Sequence, residues 1–137
     1  MRVIIDTNVV LDVLLARDPF VASSSKVFAL VEQSEIEASL CATTVTTMHY
    51  LLAQSLSRDE GRRALSELLE LFEIAPVNRP VIEQALLSKI KDFEDAILEQ
   101  AGHLVGAEAI ITRNTKDFRK SSIKALDPSE LLSALEM

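Results

Sequence analysis

The sequence is poor in the residues that punctuate a chain or lock it covalently. A single cysteine, Cys41, excludes an internal disulfide and any zinc cluster built on several thiolates. Three glycines and four prolines are too few for an all-β design, which needs turn residues at short intervals. Tryptophan is absent and aromatics make up 4% of the chain, so the core must rest on Leu, Ile, Val and Ala. No apolar run approaches the roughly 20 residues of a membrane-spanning helix. Asp6 interrupts the apolar start MRVIIDTNVV, and no small-residue cleavage site follows. The chain therefore reads as cytoplasmic, with no membrane partner. Positive charge is also scarce, with 14 Lys and Arg against 21 Asp and Glu and a formal charge of −7. The broad basic footprint common in nucleic-acid-binding domains is thus missing. Carboxylates gathered around a divalent cation would contribute to such a balance, because the bound ion reverses the local sign. A basic partner peptide would suit it as well.

What is present points to a globular α/β chain. The apolar share of 48% over 137 residues is too high for disorder and suits one domain, residues 1–137. Arg2 to Ile5 is a β-branched run that stops at Asp6, and it reads as a buried strand. A helix is expected over Val9 to Ala16, with Thr7 or Asn8 as its cap, and another over Val21 to Gln33. Ile36 to Cys41 reads as a strand, and Thr43 to Ser55 as a helix. Ser57 with Glu60 forms a capping-box pattern that opens a helix to about Leu71. Phe72 to Val77 alternates like a strand, and Pro80 opens a helix to about Ser88. Asp92 to Val105 is the next helix, then a strand over Ala109 to Thr112, a polar turn from Arg113 to Lys120, a short strand at Ile123 to Leu126, and a helix from Pro128 to Leu135. Strands alternate with helices throughout. That order predicts a three-layer domain, a central and mostly parallel sheet flanked by helices.

Sites in parallel sheets gather at the carboxyl ends of strands. Asp6 ends the first strand, Asp117 lies in the turn after Ala109–Thr112, and Asp95 starts the helix before it. These three carboxylates, with Asp92 one helical turn from Asp95, can converge on one edge of the sheet. Mg²⁺ and Mn²⁺ take hard oxygen ligands of this kind, and clustered carboxylates otherwise repel. Bland readings exist beside this one. Asp6 and Asp92 fit helix caps, Asp117 and Asn114 fit an ordinary turn, and Asp12 fits a solvated helix face. Glu94 points about 100° from Asp95 on a helix and reads as solvated. Cys41 reads as a buried small hydrophobe, while His49 and His103 have no metal-ligand spacing.

Three segments, IIDTNVVLD, DFEDAILEQAGHLVGAEAIITRN and TRNTKDF, together resemble the PIN-domain family in order and spacing. The resemblance runs from the first strand to the last. It implies a fold similar to flap-type nucleases and an endoribonuclease dependent on Mg²⁺ or Mn²⁺, with RNA as substrate. It also implies the toxin half of a bacterial toxin–antitoxin pair, with an antitoxin protein as partner and a homodimer as assembly. Asp6, Asp95 and Asp117 match the family's acidic positions, Asn8 and Asn114 its polar positions, and Thr112 the threonine that ends its last core strand. The family also carries a glutamate early in its third helix, and Thr47 stands at that place here. Asp92 or Glu94 could compensate from the neighbouring helix.

Arg113, Lys116, Arg119 and Lys120 form the basic group near the proposed site and would meet RNA phosphates. Arg58, Arg62 and Arg63 form a second group that reads as a wet helix face. The nearest rival is a non-catalytic PIN scaffold that binds RNA or a partner protein, motivated by Thr47 and the acidic balance. A phosphoryl-transfer domain is a further rival, but Asp6-Thr7-Asn8 lacks the second acid of a D-x-D opening.

Overall fold

Val3, Ile4 and Ile5 are all buried, and a strand apolar on both faces needs a layer of helices on each. The computed structural model, which describes residues 1–136, supplies those layers. Its elements are β1 (Arg2–Ile5), α1 (Thr7–Leu14), α2 (Val21–Glu32), β2 (Glu37–Cys41), α3 (Ala42–Ser55), α4 (Arg58–Leu71), β3 (Glu73–Ala75), α5 (Arg79–Leu86), α6 (Phe93–Leu104), β4 (Ala109–Ile111), β5 (Lys124–Leu126) and α7 (Pro128–Leu135). A single 3₁₀ turn, Thr115–Phe118, lies between β4 and β5. The five described strands form one sheet in the order β3-β2-β1-β4-β5, and every neighbouring pair is parallel.

Strand alternation divides the core in two. Val3 and Ile5, level with Ala38 and Leu40 on one side and Ala109 and Ile111 on the other, face a cluster with Val9, Val27, Met48, Leu68 and Leu131. Those residues bring α1, α2, α3, α4 and α7 to that face. Ile4 and Ile110 point the other way, toward Val81 and Ala85 of α5 and Ala96, Ile97 and Ala101 of α6. Helix α6 approaches the sheet closely because Gly102 has no side chain. A Cβ there would stand 3.1 Å from Ile123 Cδ1 and 3.2 Å from Ile4 Cγ2.

Element boundaries differ from expectation where a cap or a proline intervenes. Helix α1 starts two residues early because Asp6, and not Thr7 or Asn8, caps it by accepting from Thr7 N at 2.8 Å. The strand expected over Phe72 to Val77 shortens to Glu73–Ala75. Pro76 follows directly and has no N–H for the ladder. Phe72 instead closes α4, with its N–H on Leu68 O, and packs edge-on against Phe28 at 5.0 Å. The capping box of Ser57 and Glu60 forms as read. Among the described residues, no helix is long and apolar enough to cross a membrane.

The strand order sets the place of the site. From β1 the chain steps outward to β2 and β3, then returns to the other side of β1 with β4 and β5. Crossovers therefore diverge between β1 and β4, and the carboxyl ends of these two strands bound an open crevice.

Candidate active site

Asp6 is where β1 meets that crevice. Its backbone N–H donates to Ile111 O at 2.9 Å, the last tie between β1 and β4. Its carboxylate accepts three hydrogen bonds, from Thr7 N at 2.8 Å, from Thr112 Oγ1 at 2.8 Å and from Asn8 Nδ2 at 3.5 Å. Thr112 is fully buried just past β4. Having spent its one proton on Asp6, its hydroxyl accepts from Asn114 N at 3.0 Å and from Asn8 Nδ2 at 3.4 Å. Asn8 completes the joint by accepting from Arg113 N at 3.2 Å. The two strand ends are stitched together by side chains.

The first turn of α6 lies opposite. Asp92 is its N-cap and accepts from Asp95 N at 2.9 Å, so the capping reading of Asp92 is correct and compatible with a place in the site. Asp6, Asp92, Glu94, Asp95 and Asp117 share one cleft of about 440 Å³ with Asn8 and Asn114. Asp117 comes from the 3₁₀ turn, held by its N–H on Asn114 O at 3.0 Å. Glu94 is exposed, as expected of a solvated side chain. It lines the cleft and accepts from Thr47 Oγ1 of α3 at 3.3 Å.

Crowding shows in the acid strengths. Asp95 is pushed up to about 7, first by burial and then by the charges of Asp6, Asp92, Asp117 and Glu94. Asp6 is also raised, with burial outweighing the bonds from Thr112 and Thr7 that favour its anion. Glu94 is raised by burial against the opposing bond from Thr47.

The donors here are all hard oxygens, which suit Mg²⁺ or Mn²⁺. Among the described residues no three acidic side chains enclose an ion directly. Mg²⁺ keeps several waters and takes only one or two carboxylates, so an open, hydrated site fits this spacing. Thr7, on the wall of the cleft, keeps a buried Oγ1 without a protein partner. Such an atom suits an ordered water of a hydrated ion.

Asp12 contradicts its solvated reading. It is completely buried, with Arg113 Nε at 2.6 Å, Arg113 Nη2 at 3.3 Å and Arg17 Nη1 at 3.8 Å. The Arg113 guanidinium also lies 3.9 Å over the Phe20 ring, a cation–π contact. Arg113 is thus occupied and unavailable to a phosphate; its work is to anchor the turn that carries Asn114 and Asp117. A hint was present in the sequence, since Asp12 follows Asn8 by one helical turn on the same side.

The sequence profile described as PIN domain matches residues 2–116. The chain belongs to the PIN-domain family. A relative over nearly its whole length is ribonuclease VapC1 of Aquifex aeolicus, 22% identical, spanning 94% of this chain and 92% of that one. The same PIN fold appears in VapBC2 of Rickettsia felis, solved bound to a DNA fragment from its promoter, at a TM-score of 0.71 and 14% identity, covering 93% and 98% of the two chains. A toxin–antitoxin complex from Klebsiella pneumoniae gives a TM-score of 0.70 at 22% identity, covering 92% and 97%. These likenesses agree with the parallel sheet and its flanking helices. Within the PIN frame, Glu94 of α6 stands at hydrogen-bonding distance from Thr47, where the resemblance expects a glutamate.

Two outcomes follow from this geometry. Arg113→Ala should destabilise by about 3 kcal/mol, because it leaves the buried Asp12 carboxylate with only Arg17 at 3.8 Å. Asp12→Ala should cost less, about 1–3 kcal/mol, since its arginine partners can turn to water; urea unfolding that reverses this order would contradict the anchor. For Asp95, the folded-state value lies above the unfolded one, so the folded state holds more protons between about pH 4 and 7 and loses stability as pH rises through that window. Asp95→Asn should therefore raise the melting temperature of metal-free protein by about 3–6 °C at pH 8, with no gain near pH 4.

Proposed function

We propose that this PIN domain, acting as one unit over residues 1–137, is a metal-dependent endoribonuclease and the toxin of a cytoplasmic toxin–antitoxin pair. The observation that carries the reading is the convergence of five carboxylates on the switch-point crevice, with Asp95 raised to about 7 by burial and by its neighbours. Perturbed acids held together in a cleft are the arrangement by which active sites tune their groups. The naming of VapC1 as a ribonuclease and the solving of structural relatives as toxin–antitoxin complexes support the same direction.

In this reading Asp6, Asp92, Asp95 and Asp117 hold one or two Mg²⁺ or Mn²⁺ ions. A bound ion supplies Lewis-acid stabilisation of the charge that builds on a phosphodiester under attack and eases deprotonation of water. The chain's own groups do the rest. Thr112 and the α1 amide fix Asp6 in orientation, so the carboxylate need not reorganise during the reaction. Asn8 and Asn114 offer amide donors to water or phosphate. Glu94, steadied by Thr47, replaces the carboxylate missing from α3. RNA is the substrate, an antitoxin protein covers the site, and a homodimer is the working assembly.

A non-catalytic RNA- or protein-binding scaffold is the second reading, favoured by Thr47 and by the lack, among the described residues, of three acids enclosing an ion. Cleavage of a mixed RNA pool with Mn²⁺ separates the two. The unaltered protein should cut, and Asp6→Asn and Asp95→Asn should each lose about 100-fold or more of the rate while remaining folded. Equal rates in the variants, or no cutting by unaltered protein across varied RNA sequences, would favour the scaffold.

A further inference from the structure

Next to the acidic cleft is a second depression of about 400 Å³, whose wall sets five cations beside three of the cleft's carboxylates. It is lined by Lys89 and Lys91 from the segment joining α5 to α6, and by Lys116, Arg119 and Lys120 from the turn after β4. All five side chains are exposed. None forms an ion pair among the described residues, where acids elsewhere have taken Arg2, Arg17, Arg79 and Arg113. Five unpaired cations in one groove stand out in a chain of net charge −7. The sequence shows only part of this group. It places Arg113 there, which the fold removes to Asp12, and it gives no sign of Lys89 and Lys91, which the fold adds.

The groove and the acidic cleft share three walls, Asp92, Asp95 and Asp117. The five cations line only the groove, and Asp6 and Glu94 line only the cleft, so the three shared carboxylates mark where one passes into the other. We infer that this groove is the track for the backbone of a single RNA strand, whose phosphates rest on Lys89, Lys91, Lys116, Arg119 and Lys120 while the next phosphodiester lies over the acidic cleft. Phosphate oxygens and carboxylates can both ligate one hard cation, so a phosphodiester chain matches both halves of the surface. An acidic peptide offers the same oxygen chemistry only at the ends of mobile side chains, whereas a nucleic-acid strand carries one charge at every step of its backbone. Contacts of this kind set affinity and register without reading bases, so the track selects for a strand and leaves sequence choice to other residues.

The inference rests on the nuclease reading for the direction of the strand, and binding tests it separately from cleavage. Binding of a short labelled RNA of mixed sequence to the Asp6→Asn protein, followed by anisotropy without divalent ions, gives the dependence of log affinity on log salt. Each phosphate contact on a single strand contributes a slope of about −0.7, so five give about −3.5, an affinity loss of about 100-fold between about 50 and 200 mM salt. Adding Lys89→Ala and Lys91→Ala should bring the slope to about −2. Adding Arg62→Ala and Arg63→Ala on α4 instead, an equal change of charge, should leave it unaltered. The track is overturned if the lysine pair leaves the slope unchanged, if the arginine pair lowers it equally, or if a poly-glutamate peptide of matched charge competes as strongly as RNA. A slope that falls as expected, beside unaltered protein that cuts nothing with Mn²⁺, supports the track and refutes the nuclease reading alone.

Discussion

The hydroxyl of Thr112 gives its proton to Asp6 at 2.8 Å and receives the N–H of Asn114 at 3.0 Å. That buried oxygen joins the end of β1 to the end of β4 at the one place where the crossovers of a parallel sheet diverge. Around it, Asn8 bonds both strand ends, and Asp12 with Arg113 secures the following turn from the far side. Asp6 and Asp117 owe their shared cleft to this joint. The remaining acids arrive on α6, which Gly102 allows to lie close against β1.

Fixing carboxylates in this way holds like charges together in a partly dry crevice. Two of them, Asp6 and Asp92, are also helix caps, each accepting a backbone N–H. Capping offsets part of the repulsion and orients the oxygens, so one bond serves both stability and site geometry. What capping leaves uncompensated appears in the raised Asp95, Asp6 and Glu94. A divalent ion would cancel it, and the groove alongside sets five cations next to the same carboxylates. An overall acidic chain thus carries a local basic surface beside its carboxylates, because charge is separated over a short distance.

Much of this organisation was legible in the sequence. β-Branched runs ended by Asp or polar turns mark parallel strands, and the alternation of elements led to the layer order; the strand pairs are parallel throughout. Asp6, Asp95 and Asp117 could be placed on one edge because each follows or precedes an element whose period is plain. Asp12 escaped because periodicity reports apolar faces, and α1 buries Val9, Val10, Leu11 and Asp12 in succession between the sheet and two helices. Glu94 is exposed, as its angle on α6 suggests, but its meeting with Thr47 was out of reach because that side chain comes from α3. Lys89 and Lys91 lie in a connection, and no local pattern reveals what a connection faces.

The most direct test of the crowded-carboxylate site is a titration of the Asp95 carboxyl in metal-free protein by isotope-edited NMR. A midpoint near 7 is expected, moving down when Mg²⁺ is added, as it should when a cation relieves repulsion. A midpoint near the ordinary aspartate value of about 4, unmoved by Mg²⁺, would contradict it.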